Sequence, residues 1–274
     1  MSIQRNAQAF YLSSTLQTAN PAAAAFTLTA TSALDLLLDS LYINFGSLQV
    51  DDRGTALVTA MSISGQSIFA SNQGMPFSAF LPSNNYAVEG INSLSLTIAT
   101  NQVFSVTMQA GAAGFAAAPS PTNPIGFAIS TEPTDIVVSP NDSGELLNYC
   151  FGMGSVNVPA GGNATLQATC LRDNVFLGRL IMDTDSLRAP GAIPREALQI
   201  TSILVDGIEL LSAQTPQATP LLLSQLTPDS NDKTGLQANY FVKQNSQVLI
   251  TVQNTDGANA HNVCGGFYCK PIPA

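Results

Sequence analysis

"SLSLTIATNQVFSVTMQ", residues 93–109, alternates apolar and polar residues with period two on both sides of a short polar break. Leu94, Leu96 and Ile98 share one face of an extended chain, and Ser93, Ser95 and Thr97 take the other. After the break, Phe104, Val106 and Met108 oppose Ser105, Thr107 and Gln109. Strands apolar on one face and polar on the other belong to antiparallel sheets that cover a core on one side and meet water on the other.

The pattern extends along the chain. "FTLTAT" sets Phe26, Leu28 and Ala30 against three threonines, and "ATLQATC" sets Leu166, Ala168 and Cys170 against Thr165, Gln167 and Thr169. "ITSILVDGIELL" (200–211) places Asp206-Gly207 between two β-rich runs, which predicts a hairpin closed by a type I′ turn. Helix signals are short. "SALDLLLDSL" spaces Leu34, Leu37, Leu38 and Leu41 as a helix would, although Leu34, Leu36 and Leu38 also alternate, and "PREALQ" at 194 offers one turn with proline leading. Short strands bounded by Gly, Pro, Asn and Asp predict an all-β sandwich or barrel. "AGAAGFAAAPSPTNP" (110–124), all small residues and proline apart from one phenylalanine, reads as a surface loop that builds no core.

Composition narrows the function classes. The 274 residues are 45% hydrophobic but only 10% charged, against roughly 25% in ordinary soluble proteins. Such a surface suits contact with copies of itself, because interface cores are depleted of charge. Nine Lys and Arg against 18 Asp and Glu give a net charge of −9, with no basic cluster to neutralise phosphates, so no direct nucleic-acid binding is expected. The N-terminus has no apolar signal-peptide core, and no run approaches the ~20 apolar residues of a spanning helix. A cytoplasmic site of synthesis follows, in which Cys150, Cys170, Cys264 and Cys269 are thiols and the sequons at 141 and 163 are silent.

"HNVCGGFYC" (261–269) is the strongest candidate for chemistry, since it holds the sole histidine and two cysteines. His261, Cys264 and Cys269 supply at most three of the four ligands of a zinc site and lack a Cys-x-x-Cys knuckle. Alternation instead makes this the last strand, with Phe267 and Cys269 inward, Tyr268 and Lys270 outward, and Gly265-Gly266 at a bulge or close backbone approach. His261 follows the polar, glycine-containing "DGANA", which predicts a solvated loop tip and no catalytic cleft. Asp51-Asp52 and Asp183 with Asp185 could bind calcium or act as acid and base. Both pairs follow a strand, where acidic turn residues are ordinary, and "DTDS" lacks the glycine and distal glutamate of an EF-hand. The chain has no tryptophan and only 7% aromatics, so tyrosines such as Tyr86 and Tyr240 make no stacking platform for sugars or bases. No catalytic, cofactor-binding or metal residues are assigned, no cofactor is expected, and the chain is read as a non-enzyme.

The two halves look alike. "SLYINFGSLQV" at 40 parallels "SILVDGIELL" at 202, and "QVFSVTMQ" at 102 parallels "QVLITVQ" at 247. "PIGFAIS" at 124 parallels "CGGFYCK" at 264, and "AAFTLTAT" parallels "GNATLQAT", all in a common order. Pro, Asp and Ser accumulate in 130–147, which divides the chain into sandwiches at 1–138 and 139–274. These ordered pairs resemble the double jelly-roll major capsid proteins of tailless icosahedral viruses, such as corticovirus-like and tectivirus-like phages. The resemblance implies two tandem jelly-roll β-sandwiches, homotrimers that form pseudo-hexameric capsomers, and contacts with neighbouring capsomers, other virion proteins and an internal membrane. It also implies residence in a virion assembled in the host cytoplasm. The alternatives are a minor virion component (vertex, spike or receptor-binding protein) and a non-viral β-sandwich binding module.

Overall fold

Eight strand positions recur twice in the same spatial order. In a computed structural model, the described residues are 10–19, 24–44, 52, 54–80, 96–111, 114–116, 118–133, 150–172, 175–185, 197–212, 221–223, 226 and 236–270. The first half contributes β1 (Phe10–Ser13), β2 (Ala25–Thr31), β3 (Leu36–Asn44), β4 (Leu57–Ile63), β5 (Gln66–Ser67), β6 (Met75–Pro76), β7 (Leu96–Ile98), β8 (Val103–Gln109) and β9 (Gly126–Pro133). These form two antiparallel sheets, β1-β9-β3-β7 and β2-β8-β4-β5, with β6 added beside β4.

The second half contributes β10 (Cys150–Val158), β11 (Asn163–Thr169), β12 (Val175–Thr184), β13 (Leu198–Val205), β14 (Ile208–Ser212), β15 (Leu221–Leu222), β16 (Gln237–Val242), β17 (Gln247–Asn254) and β18 (His261–Lys270). Their orders, β10-β18-β12-β16 and β11-β17-β13-β14 with β15 beside β13, repeat the first pair strand for strand. First, eighth, third and sixth positions facing second, seventh, fourth and fifth is the jelly-roll order. The protein is all-β, two tandem antiparallel jelly-roll sandwiches.

The likeness reaches single bonds. Thr27 and Thr107 hydroxyls pair at 2.9 Å on β2 and β8, and Thr165 and Thr251 pair at 3.2 Å on β11 and β17. Thr59 donates to the Thr107 carbonyl as Thr201 donates to that of Thr251. Each turn before the seventh position holds an asparagine at φ 66°, Asn101 or Asn245, whose N–H donates to Ser32 or Cys170. Both fourth-to-fifth hairpins carry two consecutive positive φ values, Ser64-Gly65 and Asp206-Gly207, as the type I′ reading requires.

The sequence pairings are corrected in two places. The 202–211 hairpin corresponds to β4 and β5, not to the run from 40, which enters β3. The match between β8 and β17 slips by one residue, because Thr31 and Thr169 at the ends of β2 and β11 pair with Val103 and Gln247.

Two local surprises have physical causes. Leu36, Leu37, Leu38 and Leu41 lie in a strand, with Leu34 exposed before it, and a register shift between Leu38 and Ser40 moves the inward set by one residue. Leu36, Leu38, Leu41 and Ile43 are therefore all buried, a spacing that imitates a helix. Within 110–124, Phe115 enters the first core and meets Phe26 and Phe77 edge-on at 6.2 and 6.0 Å, so this loop does build core. "PREALQ" straddles the start of β13; its residues 194–196 lie outside the described set.

The halves are welded. Residues 69–74, between β5 and β6, run along the second sandwich. Ala70 donates to the Cys150 carbonyl and accepts from Leu171 N–H, both at 2.8 Å, and its side chain sits in the second core. Asn72 N–H donates to the Thr169 carbonyl, and its side-chain oxygen accepts from Thr169 N–H at 2.9 Å. Cys150, Ile181 and Tyr268 of the second half pack in turn into the first core. The inner strands of the sheet β10-β18-β12-β16 are thereby covered on both faces, which is why β12 is buried at every residue but Phe176. Among the described residues no helix is long and apolar enough to cross a membrane.

Candidate functional site

The backbones of the two halves touch where side chains are missing. A Cβ on Gly152 would stand 2.2 Å from the Gln73 carbonyl oxygen, and one on Gly266 would stand 2.9 Å from Met75. Gly152 and Gly154 flank a register shift opposite Gly266 and Gly265. Gly265-Gly266 thus serves both purposes read from the sequence, bulge and close approach. Tyr268 is not outward in the sense of solvent. It lies on the sheet face away from the second core, is buried against the first half, and donates to the Ala79 carbonyl at 2.9 Å. Burial, with Cys150 nearby, pushes its phenol far above the usual range.

His261 lies on β18 and not on a solvated tip, and it is 6% exposed. Its Nδ1 is 3.2 Å from Asp185 Oδ1, and its Nε2 is 3.5 Å from Asp256 Oδ2. The Nδ1 contact is a hydrogen bond; the Nε2 contact is close but lacks hydrogen-bond geometry. Asp185 Oδ2 accepts from both the backbone and side-chain N–H groups of Asn262 at 3.0 Å. Asp256 accepts from Ala258 N–H at 2.8 Å and Asn259 Nδ2 at 3.0 Å, and these bonds hold its carboxyl below the usual range. Asn254 closes the ring by donating to the Asn259 carbonyl at 2.7 Å.

This cluster ties the end of β12, the β17–β18 turn and the start of β18 together. The sequence shows half of it, since "NTDGANAHN" is rich in turn-forming Asn and Asp. Asp185 lies 76 residues from His261, and no local signal announces the pairing. Among the described residues no hydroxyl or thiol hydrogen-bonds the imidazole, so the base-and-orienter half of a triad has no nucleophile beside it.

The other candidates are dispersed. Cys264 has even parity with Tyr268 on β18, whereas His261 and Cys269 have odd parity with Phe267, so alternation separates His261 from Cys264. All four cysteines are buried and none is in a disulfide, and burial raises Cys150 and Cys269 well above the ordinary thiol range, which makes these two poor nucleophiles. Asp183 accepts from Thr184 N–H, apart from the contacts Asp185 makes. Asp52 accepts from Ala116 N–H at 2.8 Å and holds the 110–124 loop; Asp51 lies outside the described residues. Among the described residues no three His, Cys, Asp or Glu side chains form a group that could hold a metal ion.

No protein-family model matches the chain, and neither does any curated protein. Among solved structures, the crystal structure of PBCV-1 VP54 fitted into a cryo-EM reconstruction of the virophage Sputnik is similar at 9% identity. The match covers 100% of this chain and 99% of that one, with a TM-score of 0.36. The strand orders, rather than this likeness, define the fold: a double jelly roll.

Proposed function

We propose that this protein is the major capsid protein of an icosahedral virus, a subunit whose work is tiling with copies of itself. The observation that carries the reading is the weld. Two complete jelly rolls are joined through one sheet of the second, whose Cys150, Ile181 and Tyr268 pack into the core of the first, so the chain presents two like bodies as one unit. Three such chains present six near-equal bodies about one axis, which lets a homotrimer fill a six-fold position as a pseudo-hexameric capsomer. A chain with only 10% charged residues favours apolar and hydrogen-bonded contact between subunits, and its net −9 charge keeps free subunits apart in solution. The bodies correspond to 1–138 and 139–274. The same reading places the chain in the virion, assembled in the host cytoplasm beside other virion proteins and an internal membrane.

The test is copy number. In purified particles the chain should dominate the stained gel, and particle images should resolve pseudo-hexameric capsomers. A few copies per particle would make it a vertex or spike component instead.

A further inference from the structure

The weld uses one surface of each jelly roll, and the equivalent surface of the other jelly roll stays open in each case. On the first body the weld uses β6 (Met75–Pro76) and the short 3-10 helix Phe77–Phe80. On the second it uses the outer face of β10-β18-β12, where a Cβ on Gly266 would stand 2.9 Å from Met75 and Tyr268 donates to the Ala79 carbonyl. Met75, Pro76, Cys150 and Tyr268 are all buried.

Strand register identifies the open face on the first body. Cys150 pairs with Tyr268 on β18, two residues past Gly266; Ser13 pairs with Ala128 on β9, two residues past Gly126. Phe267 and Phe127, next to those glycines, each enter their own core, so Ser13 and Ala128 point outward as Cys150 and Tyr268 do. Ser13 is exposed and Ala128 is half-buried. Leu16 lies over Gly126, its Cδ2 2.8 Å from where a Cβ would stand, as Met75 lies over Gly266. Met75 is fully buried there, whereas Leu16 is 61% exposed.

Register also identifies the open edge on the second body. β6 pairs with β4 at Val58 and Met75, and β15 pairs with β13 at Ile200 and Leu221. Val58 and Ile200 hold the same place, each a core residue immediately before the register shift of its strand. Leu221 and Leu222 are therefore the counterparts of Met75 and Pro76. A turn follows each pair: Phe77–Phe80 in the first body, and in the second a turn in which Leu226 N–H donates to the Leu223 carbonyl at 3.0 Å. Met75 and Pro76 are buried, but Leu221 and Leu222 are both only half-buried.

We infer that the outer face of β1-β9-β3, at Ser13, Leu16 and Ala128, receives Leu221 and Leu222 of a second copy of this chain, repeating between chains the contact that Met75 and Pro76 make within one. A second copy is the occupant because the chain carries both halves of this contact twice, one pair joined and one pair open. Joining the open pair continues the two bodies in the same order. The residues that meet are leucine, alanine and serine, with no charge among them, as the core of an interface requires. The two surfaces differ, so the contact is head-to-tail and closes into a ring when the rotation from body to body permits.

The inference rests on the self-tiling reading and names the two surfaces that do it. The full chain and the double variant Ser13→Lys/Leu16→Lys are compared by sedimentation velocity, with circular dichroism and thermal melting to check the fold. Both residues are exposed in the single chain, so the added charges are buried only when a copy docks, and a lysine stem still covers Gly126. The expected result is an oligomeric wild type and a folded, monomeric variant. A second variant, Thr165→Lys/Thr251→Lys, carries the same charge on the outer face of the β11-β17-β13-β14 sheet and should stay oligomeric. If it dissociates as well, added charge and not this face breaks the assembly, and the assignment is overturned. An oligomer that survives the Ser13 and Leu16 lysines also overturns the assignment while leaving the tiling reading standing. A wild type that is monomeric at every concentration overturns both. Should the lysine variant fail to fold, a mixture of Leu16→Cys and Leu222→Cys chains is treated with a short bismaleimide, the four native cysteines being buried. A between-chain link from residue 16 to residue 222 supports the contact, and its absence overturns it.

Discussion

The two sheets of the second jelly roll have the same number of main strands and opposite sequence textures. In β11-β17-β13-β14 every long strand alternates, and the outward threonines meet water or pair across strands. In β10-β18-β12-β16 the long strands are buried nearly throughout, and the residues pointing away from their own core, Cys150, Ile181 and Tyr268, serve the neighbouring core instead. Alternation marks a sheet with one partner, and its loss marks a sheet with two. The contrast teaches where the chain spends its apolar surface: on joining its own halves.

Substitutions sharpen the contrast, in descending order of effect. Gly152→Ala forces a methyl group into the Gln73 and Gly74 backbone, which cannot yield as a side-chain tip can. It should cost about 3–5 kcal/mol, at the upper end for point changes, or prevent folding. Gly257→Ala, with open space around it, is the control and should stay within about 0.5 kcal/mol in denaturant titrations.

His261→Ala comes next. The loop-tip reading expects no effect, but burial between Asp185 and Asp256 predicts a loss of about 1–3 kcal/mol, since two carboxylates lose the group between them. Tyr268→Phe strips the bond to the buried Ala79 carbonyl and should cost about 1–2 kcal/mol while keeping the ring's packing. Thr251→Val, on the sheet with one partner, removes only an exposed hydroxyl pair and should change stability least, by less than about 0.5 kcal/mol at the melting midpoint.

Acid probes the same cluster. Asp256 has a lowered pKa in the folded chain, so its stabilising effect is full above the ordinary carboxylate range near about pH 4 and is lost as pH falls towards the lowered value. Amide exchange in 255–260 should accelerate below about pH 4 before β17 responds. Simultaneous loss would mean that the turn is not separately held.

Much of the fold was legible because half-buried strands write their facing directly. Leu96, Ile98, Phe104, Val106, Met108, Leu166, Ala168 and Cys170 are all inside, as alternation requires, and the Asp206-Gly207 hairpin closes as its dipeptide dictates. What stayed hidden depends on partners distant in sequence. Tyr268 alternates outward from its own core, but outward from one jelly roll is inward to the other. His261 follows a polar run, yet Asp185 arrives from a strand whose proximity only topology creates. Phe115 is a single aromatic among alanines, and a lone residue has no period. The register shift in β3 put leucines at helical spacing because a bulge adds one residue to a period of two.

Native mass spectrometry of the intact chain tests most directly that these twin bodies exist to assemble. The expected spectrum is dominated by a trimer that dissociates on dilution into folded monomers. A folded monomer that never associates, at any concentration up to its solubility limit, would contradict the account.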